Sequence, residues 1–168
     1  MRPAAALLVL AVASPAWAGP FDTPPKRYDE TVNVALQQVA SDLRVRQTAC
    51  IAVRCRFAAG GVSVEVAGPA DRPATERITV AATFRQGGDG AAASLLEDTL
   101  TVVGATMVAY DRGLPAERRG AVLQELGDAA LGVGEAHIDS NDVHYVLSFD
   151  DVSGRLEIVA ATLPAGHG

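Results

Sequence analysis

Apolar residues recur at Tyr28, Val32, Leu36, Val39 and Leu43, steps of three and four that lay one stripe along a helix. Thr23 stands ahead of Pro24 and Pro25, which suit the first turn of such a helix. After Cys50 the period changes to two. Ile51, Val53, Cys55 and Phe57 alternate with Ala52, Arg54 and Arg56, which predicts a strand. Ala58-Ala59-Gly60-Gly61 predicts a turn, and Val62, Val64 and Val66 a second strand paired as a hairpin. Gly68 to Pro73 predicts a loop, and Ile78, Val80, Ala82 and Phe84 a third strand. Gln86-Gly87-Gly88-Asp89-Gly90 then breaks the pattern.

A helix is expected over Ser94–Tyr110. Ser94 and Glu97 have capping-box spacing, and Leu96, Thr99, Val103, Met107 and Tyr110 form the stripe. Gly113 ends it, and Pro115 opens another helix that buries Val122, Leu126 and Ala130. Past Gly132 and Gly134 the period is two again. Ala136 and Ile138 share one strand face, Val143, Tyr145, Leu147 and Phe149 the next, and Leu156, Ile158 and Ala160 the last, after a turn at Asp150–Gly154. The expected order is α-βββ-αα-βββ. That is an α+β fold: an antiparallel sheet from two three-stranded meanders with about three helices packed on it.

The run from Leu114 to Asp150 presents Pro115, Glu117, Arg119, Val122, Leu126, Gly132, Ile138, Asp139 and Tyr145 in one order and spacing. In this it resembles the second half of type III secretion chaperone-like domains, where a helix beginning at a proline leads through a glycine turn into an antiparallel strand pair. The resemblance implies a fold opening with a helix and three strands, and a habit of binding polypeptides or dimerising without catalysis. The chain departs from that family in its export signal, in the helix over Ser94–Tyr110, and in having no helix predicted after the last strand.

The N-terminus changes the expected compartment. Arg2, the apolar run Ala4–Ala13 and the small-x-small ending Ala16-Trp17-Ala18 form a signal-peptide pattern. Residues 1–18 are expected to be removed ahead of Gly19, leaving 19–168 as a single α+β domain, periplasmic or secreted. The apolar run is about half of the roughly twenty residues a bilayer span needs. The most apolar later stretch, Ser94–Tyr110, carries Glu97 and Asp98, so no membrane span is expected in the mature chain.

Net charge is −6, with Lys26 the sole lysine. Its distribution is skewed. Seven arginines between Arg44 and Arg85 face Glu65, Asp71 and Glu76, whereas thirteen acids after Gln86 face Arg112, Arg118, Arg119 and Arg155. An acidic chain excludes nucleic acid as the expected ligand. Arg44, Arg46, Arg54 and Arg56 form a candidate partner surface, because a dipolar charge distribution orients an approaching protein.

Cys50 and Cys55 are the only cysteines. Two thiols without further soft ligands nearby do not make a zinc site, and C-x-x-C spacing is absent, so export favours a disulfide. On one continuous strand the two would lie about 16 Å apart, whereas a disulfide needs Cα atoms within about 7 Å. Cys50 is therefore expected in the bend leaving the first helix, as a staple of a helix-to-strand corner.

Nucleophile-elbow, zincin, P-loop and dinucleotide motifs are absent. Asp139-Ser140-Asn141-Asp142 and Asp150-Asp151-Val152-Ser153 lack the glycine and distal glutamate of a calcium loop and read as Asx turns. His137 and His144 lie on the polar face of a hairpin. A turn at Ser140-Asn141 sets them opposite each other, and one at Asn141-Asp142 sets them on a diagonal. With Glu135, Asp139 or Asp142 nearby, such a pair offers ligands to zinc or copper; the other reading is a plain polar outer face. The expected function is that of an exported non-enzymatic module, without a cofactor, binding another protein or peptide or a second copy of itself. The alternative is a small metal-binding or hydrolytic protein using the His137/His144 face.

Overall fold

The computed structural model describes residues 20–84 and 89–163. The signal-peptide pattern and the glycines Gly87 and Gly88 lie outside those residues. In chain order the elements are α1 (Tyr28–Gln38), β1 (Arg46–Ile51), β2 (Arg54–Ala59), β3 (Val62–Ala67), β4 (Arg77–Thr83), α2 (Asp89–Tyr110), α3 (Ala116–Val133), β5 (Glu135–Ser140), β6 (Val143–Asp150) and β7 (Arg155–Thr162).

The fold is α+β. The period-two segments of both halves join one antiparallel sheet of order β1-β2-β3-β4-β7-β6-β5. Each half contributes a meander, and the two meet where β4 pairs with β7, from Arg77 opposite Ala161 to Thr83 opposite Arg155. Alternation decides the buried face: Cys55, Phe57, Val64, Val66, Ile78, Val80, Tyr145, Leu147, Leu156 and Ile158 all enter the core beneath the helices. The helix α2 rests on β3 and β4, α3 on β5 and β6, and α1 lies beside α2.

The first meander has four strands, one more than its pattern predicts. Ala52 and Val53 form a two-residue turn, so the apparent alternation from Ile51 to Phe57 crosses from one strand to another. Every residue of β1 is exposed. An edge strand that buries neither face leaves no apolar period to read. Cys50 is thus on β1 rather than in a bend after α1. It lies directly opposite Cys55, Cα to Cα 4.0 Å, and their disulfide ties β1 to β2. That separation is inside the ~7 Å limit for a disulfide.

Two helix boundaries also move. The α2 helix begins at Asp89, which puts Ser94 inside it and leaves the Ser94/Glu97 capping box unused. Its buried side runs through Thr99, Val102, Val103, Thr106, Met107 and Tyr110, while Leu96 turns outward. The α1 helix stops at Gln38. Ala40 takes a left-handed φ of 54°; its N–H donates to the Gln37 carbonyl and the Ser41 N–H to the Leu36 carbonyl. That double bond pattern is a Schellman stop, and it swings Val39 out of the stripe. In α3 the predicted Val122, Leu126 and Ala130 are buried, and Gly134, at φ 79°, ends the helix.

Aromatic rings fill one end of the core. Tyr28 packs on Phe57 and Tyr110, with centroids 5.1 and 5.8 Å apart, and Phe21 meets Tyr110 edge-on. The Tyr28 and Thr106 hydroxyls are 2.6 Å apart, and Thr106 in turn donates to the Val102 carbonyl. At the other end, buried Asp111 accepts from the Tyr145 hydroxyl (3.1 Å) and the Asn141 amide (2.9 Å). This links the α2–α3 corner to the β5–β6 turn, where Asn141 has a φ of 51°. Buried polar groups cost little only when paired, as the Tyr28, Thr106, Asp111 and Tyr145 groups are, whereas the Tyr110 hydroxyl is buried without a hydrogen-bond partner.

Candidate functional site

Two surfaces hold the groups able to do something. One is a groove on the helix layer; the other is the sheet face that no helix covers.

The groove lies between the chain leaving α1 and the flanks of α2 and α3. It has a volume of about 850 Å³, and Val39, Leu43, Gly104, Ala105 and Val108 supply apolar lining. The loop that carries its 39–43 wall is pinned by Asn33, whose amide donates to the Val45 carbonyl and whose oxygen accepts from the Val45 N–H, both at 2.9 Å. Arg44 braces the same loop, donating to the carbonyls of Ser41 (2.8 Å) and Leu43 (2.6 Å). Asp42, Glu97 and Asp98 set the charge of the lining against Arg119 alone. The Arg119 Nε is buried without a hydrogen-bond partner.

A shallower depression formed by Ala93, Leu96 and Leu100 continues from the groove, with Glu97 and Thr101 in common. Leu96 is 42% exposed, Leu100 38% and Val39 57%. By length and composition α2 would suffice to cross a membrane, but it sits on the sheet with about a third of that apolar stretch buried. The result is an apolar flank facing outward beside an acidic rim.

On the open sheet face, register places side chains in rows. One runs Arg54, Ala67, Arg77, Ala161, His144, Asp139; the next runs Arg56, Glu65, Thr79, Val159, Val146, His137. Glu65 lies 3.5 Å from Arg54 and 3.2 Å from Arg56, and Arg155 reaches Glu157 at 2.9 Å. Arg46, opposite Ala58, falls on the same face. Of the four arginines predicted as a partner surface, three therefore share this face, while Arg44 lies on the loop between α1 and β1, outside the groove lining.

The β5–β6 turn is Asn141-Asp142, so His137 and His144 sit on the diagonal, ring centroids 6.1 Å apart. His144 Nδ1 lies 2.5 Å from Asp139 Oδ1. Glu135 is in a further row, opposite Ser148. Among the described residues no three His, Cys, Asp or Glu side chains come together as a metal-binding group. At the β6–β7 turn, Asp150 accepts from the N–H groups of Val152 and Ser153 and from the Ser153 hydroxyl, and these bonds hold its carboxyl below the usual carboxylate range. It is the expected Asx turn.

The groove was not legible in the sequence. Its walls come from residues 39–43, 97–108 and 116–119, and only folding brings them together. The available signal was the surplus of apolar residues on α2 beyond one stripe. Compared with protein-family models, curated proteins and solved structures, the chain matches none.

Proposed function

We propose that the chain is an exported polypeptide-binding module of the bacterial envelope, without catalytic activity, and that the helix-layer groove holds its ligand. The observation that carries this reading is the outward apolar flank of α2, Leu96 and Leu100, continuous with the groove and rimmed by Asp42, Glu97 and Asp98. A solvent-facing apolar strip beside a groove suits an amphipathic segment laid lengthwise. Three carboxylates against one arginine select a segment carrying lysine or arginine. Support also comes from the resemblance of Leu114–Asp150 to type III secretion chaperone-like domains. Export is supported by the N-terminal pattern and by a disulfide, which persists in oxidising compartments.

Two synthetic amphipathic helices test this, one of leucine and lysine and one of leucine and glutamate, measured by fluorescence anisotropy against the chain from Gly19. The Leu/Lys peptide is expected to bind at least tenfold tighter. Leu100→Gln and Glu97→Lys should each weaken it several-fold, while Asp151→Lys, an equal charge change on a distant turn, should not. Equal affinity for both peptides, or an equal loss from Asp151→Lys, would overturn the assignment of the groove.

A further inference from the structure

The charges on the open sheet face divide by position, over and above the pairs that neighbours form. At one edge, β1 and β2 carry Arg46, Arg54 and Arg56 and no acid. At the other, β5 and β6 carry Glu135, Asp139 and Asp150 and no arginine or lysine, with His144 beside Asp139 and Asp150 bonded within its own turn. Between them most side chains are small, Ala67, Thr79, Ala81, Val159 and Ala161, with Arg77 at the end of β4. The one carboxylate near the cationic edge, Glu65, is shared by Arg54 and Arg56. Arg155 and Glu157 near the centre neutralise each other.

We propose that this face is the interface between two copies of the chain, related by a two-fold axis running along β4. The middle strand of seven is β4. Rotation about it lays β1 and β2 of one copy over β5 and β6 of the other, so each arginine edge meets an acidic edge, twice per dimer. A two-fold interface must be self-complementary, and a face cationic at one edge and anionic at the other meets that condition. The small central side chains permit two sheets to stack at the usual ~10 Å. At about 4.8 Å per strand the face is roughly 30 Å wide and 20 Å long, comparable with the ~800 Å² that each partner buries in a standard interface. An external acidic protein would need the arginine edge alone and would leave the opposite edge without a role.

Analytical ultracentrifugation of the chain from Gly19, disulfide intact, reads the outcome. A concentration-dependent dimer is expected, loosened by salt because its edges are charge pairs. Arg54→Glu with Arg56→Glu should raise the dimer dissociation constant at least tenfold, and Glu135→Arg with Asp139→Arg should do the same. Mixed at equal concentration, the two double variants should recover a heterodimer, since both edge contacts then pair opposite charges again. A wild-type chain monomeric to about 100 μM, well above the range for interfaces of this size, would overturn the proposal. Loss from the arginine variant alone would overturn it too, and point to an acidic partner. So would failure of the mixed variants to associate, each being folded by circular dichroism. These substitutions lie on the layer opposite the groove, so peptide binding there stands or falls separately.

Discussion

Single residues stop and start elements here, and not always with the residue best suited to it. Ala40 occupies the left-handed position of a Schellman stop, where a Cβ costs about 1 kcal/mol that glycine avoids. The chain must turn back at this point for Asn33 to clip Val45, and that requirement fixes where the stop falls. Ala40→Gly is expected to stabilise the fold by about 0.5–1 kcal/mol, a rise of about 1–4 °C in melting temperature for a domain of this size. A melting temperature unchanged or lowered would mean the loop is set by Asn33 alone. Asn141, at a similar φ in the β5–β6 turn, shows the contrasting choice, since asparagine tolerates that conformation. Its side chain is also committed to Asp111.

Elements were legible in the sequence wherever they bury one side. The strands β3 and β6 alternate cleanly because one face meets the helices, β4 and β7 do so apart from Ala81 and Val159, and α3 shows its stripe for the same reason. The β1 strand was illegible because burial never sorts its residues, and the α2 start because helical alanines at residues 91–93 carry no period. Of the surfaces, the arginine skew was visible as composition, yet its division across a sheet needed the strand order. The same edge position that hides β1 makes the disulfide its main anchor. Closing a loop this small contributes about 2 kcal/mol in the entropy model, local to a strand that buries nothing. Reduction is therefore expected to raise amide hydrogen exchange across Arg46–Ile51 at least tenfold while β3 and β4 stay protected. Exchange unchanged in β1, or raised equally throughout the sheet, would mean that the bond is not a local staple. Reductant has access through Cys50, which is exposed, although Cys55 is buried.

At the scale of the whole molecule, one core joins both meanders, and its three tyrosines report on it together. Tyr28, Tyr110 and Tyr145 are the chain's only tyrosines, and all three are buried. Burial pushes the Tyr110 phenol up to about 12, against a smaller opposing effect of the Thr75 and Thr31 hydroxyls. Tyr28 is raised chiefly by burial, and Tyr145 by burial and then by the Asp111 carboxylate beside it. The unfolded chain titrates these groups near pH 10, so above that pH it holds fewer protons than the folded chain and stability falls as pH rises. The tyrosine contribution is whole below pH ~10 and declines through pH ~12. Because Tyr28 and Tyr110 serve the first meander and Tyr145 the second, ionisation of any one requires opening a core common to both. Phenolate absorbance is therefore expected to stay low through pH ~10, then rise in one steep step coincident with loss of far-ultraviolet circular dichroism. Three gradual titrations centred near pH 10 with the dichroism intact would show the tyrosines to be accessible, and the two meanders would then not share a single core.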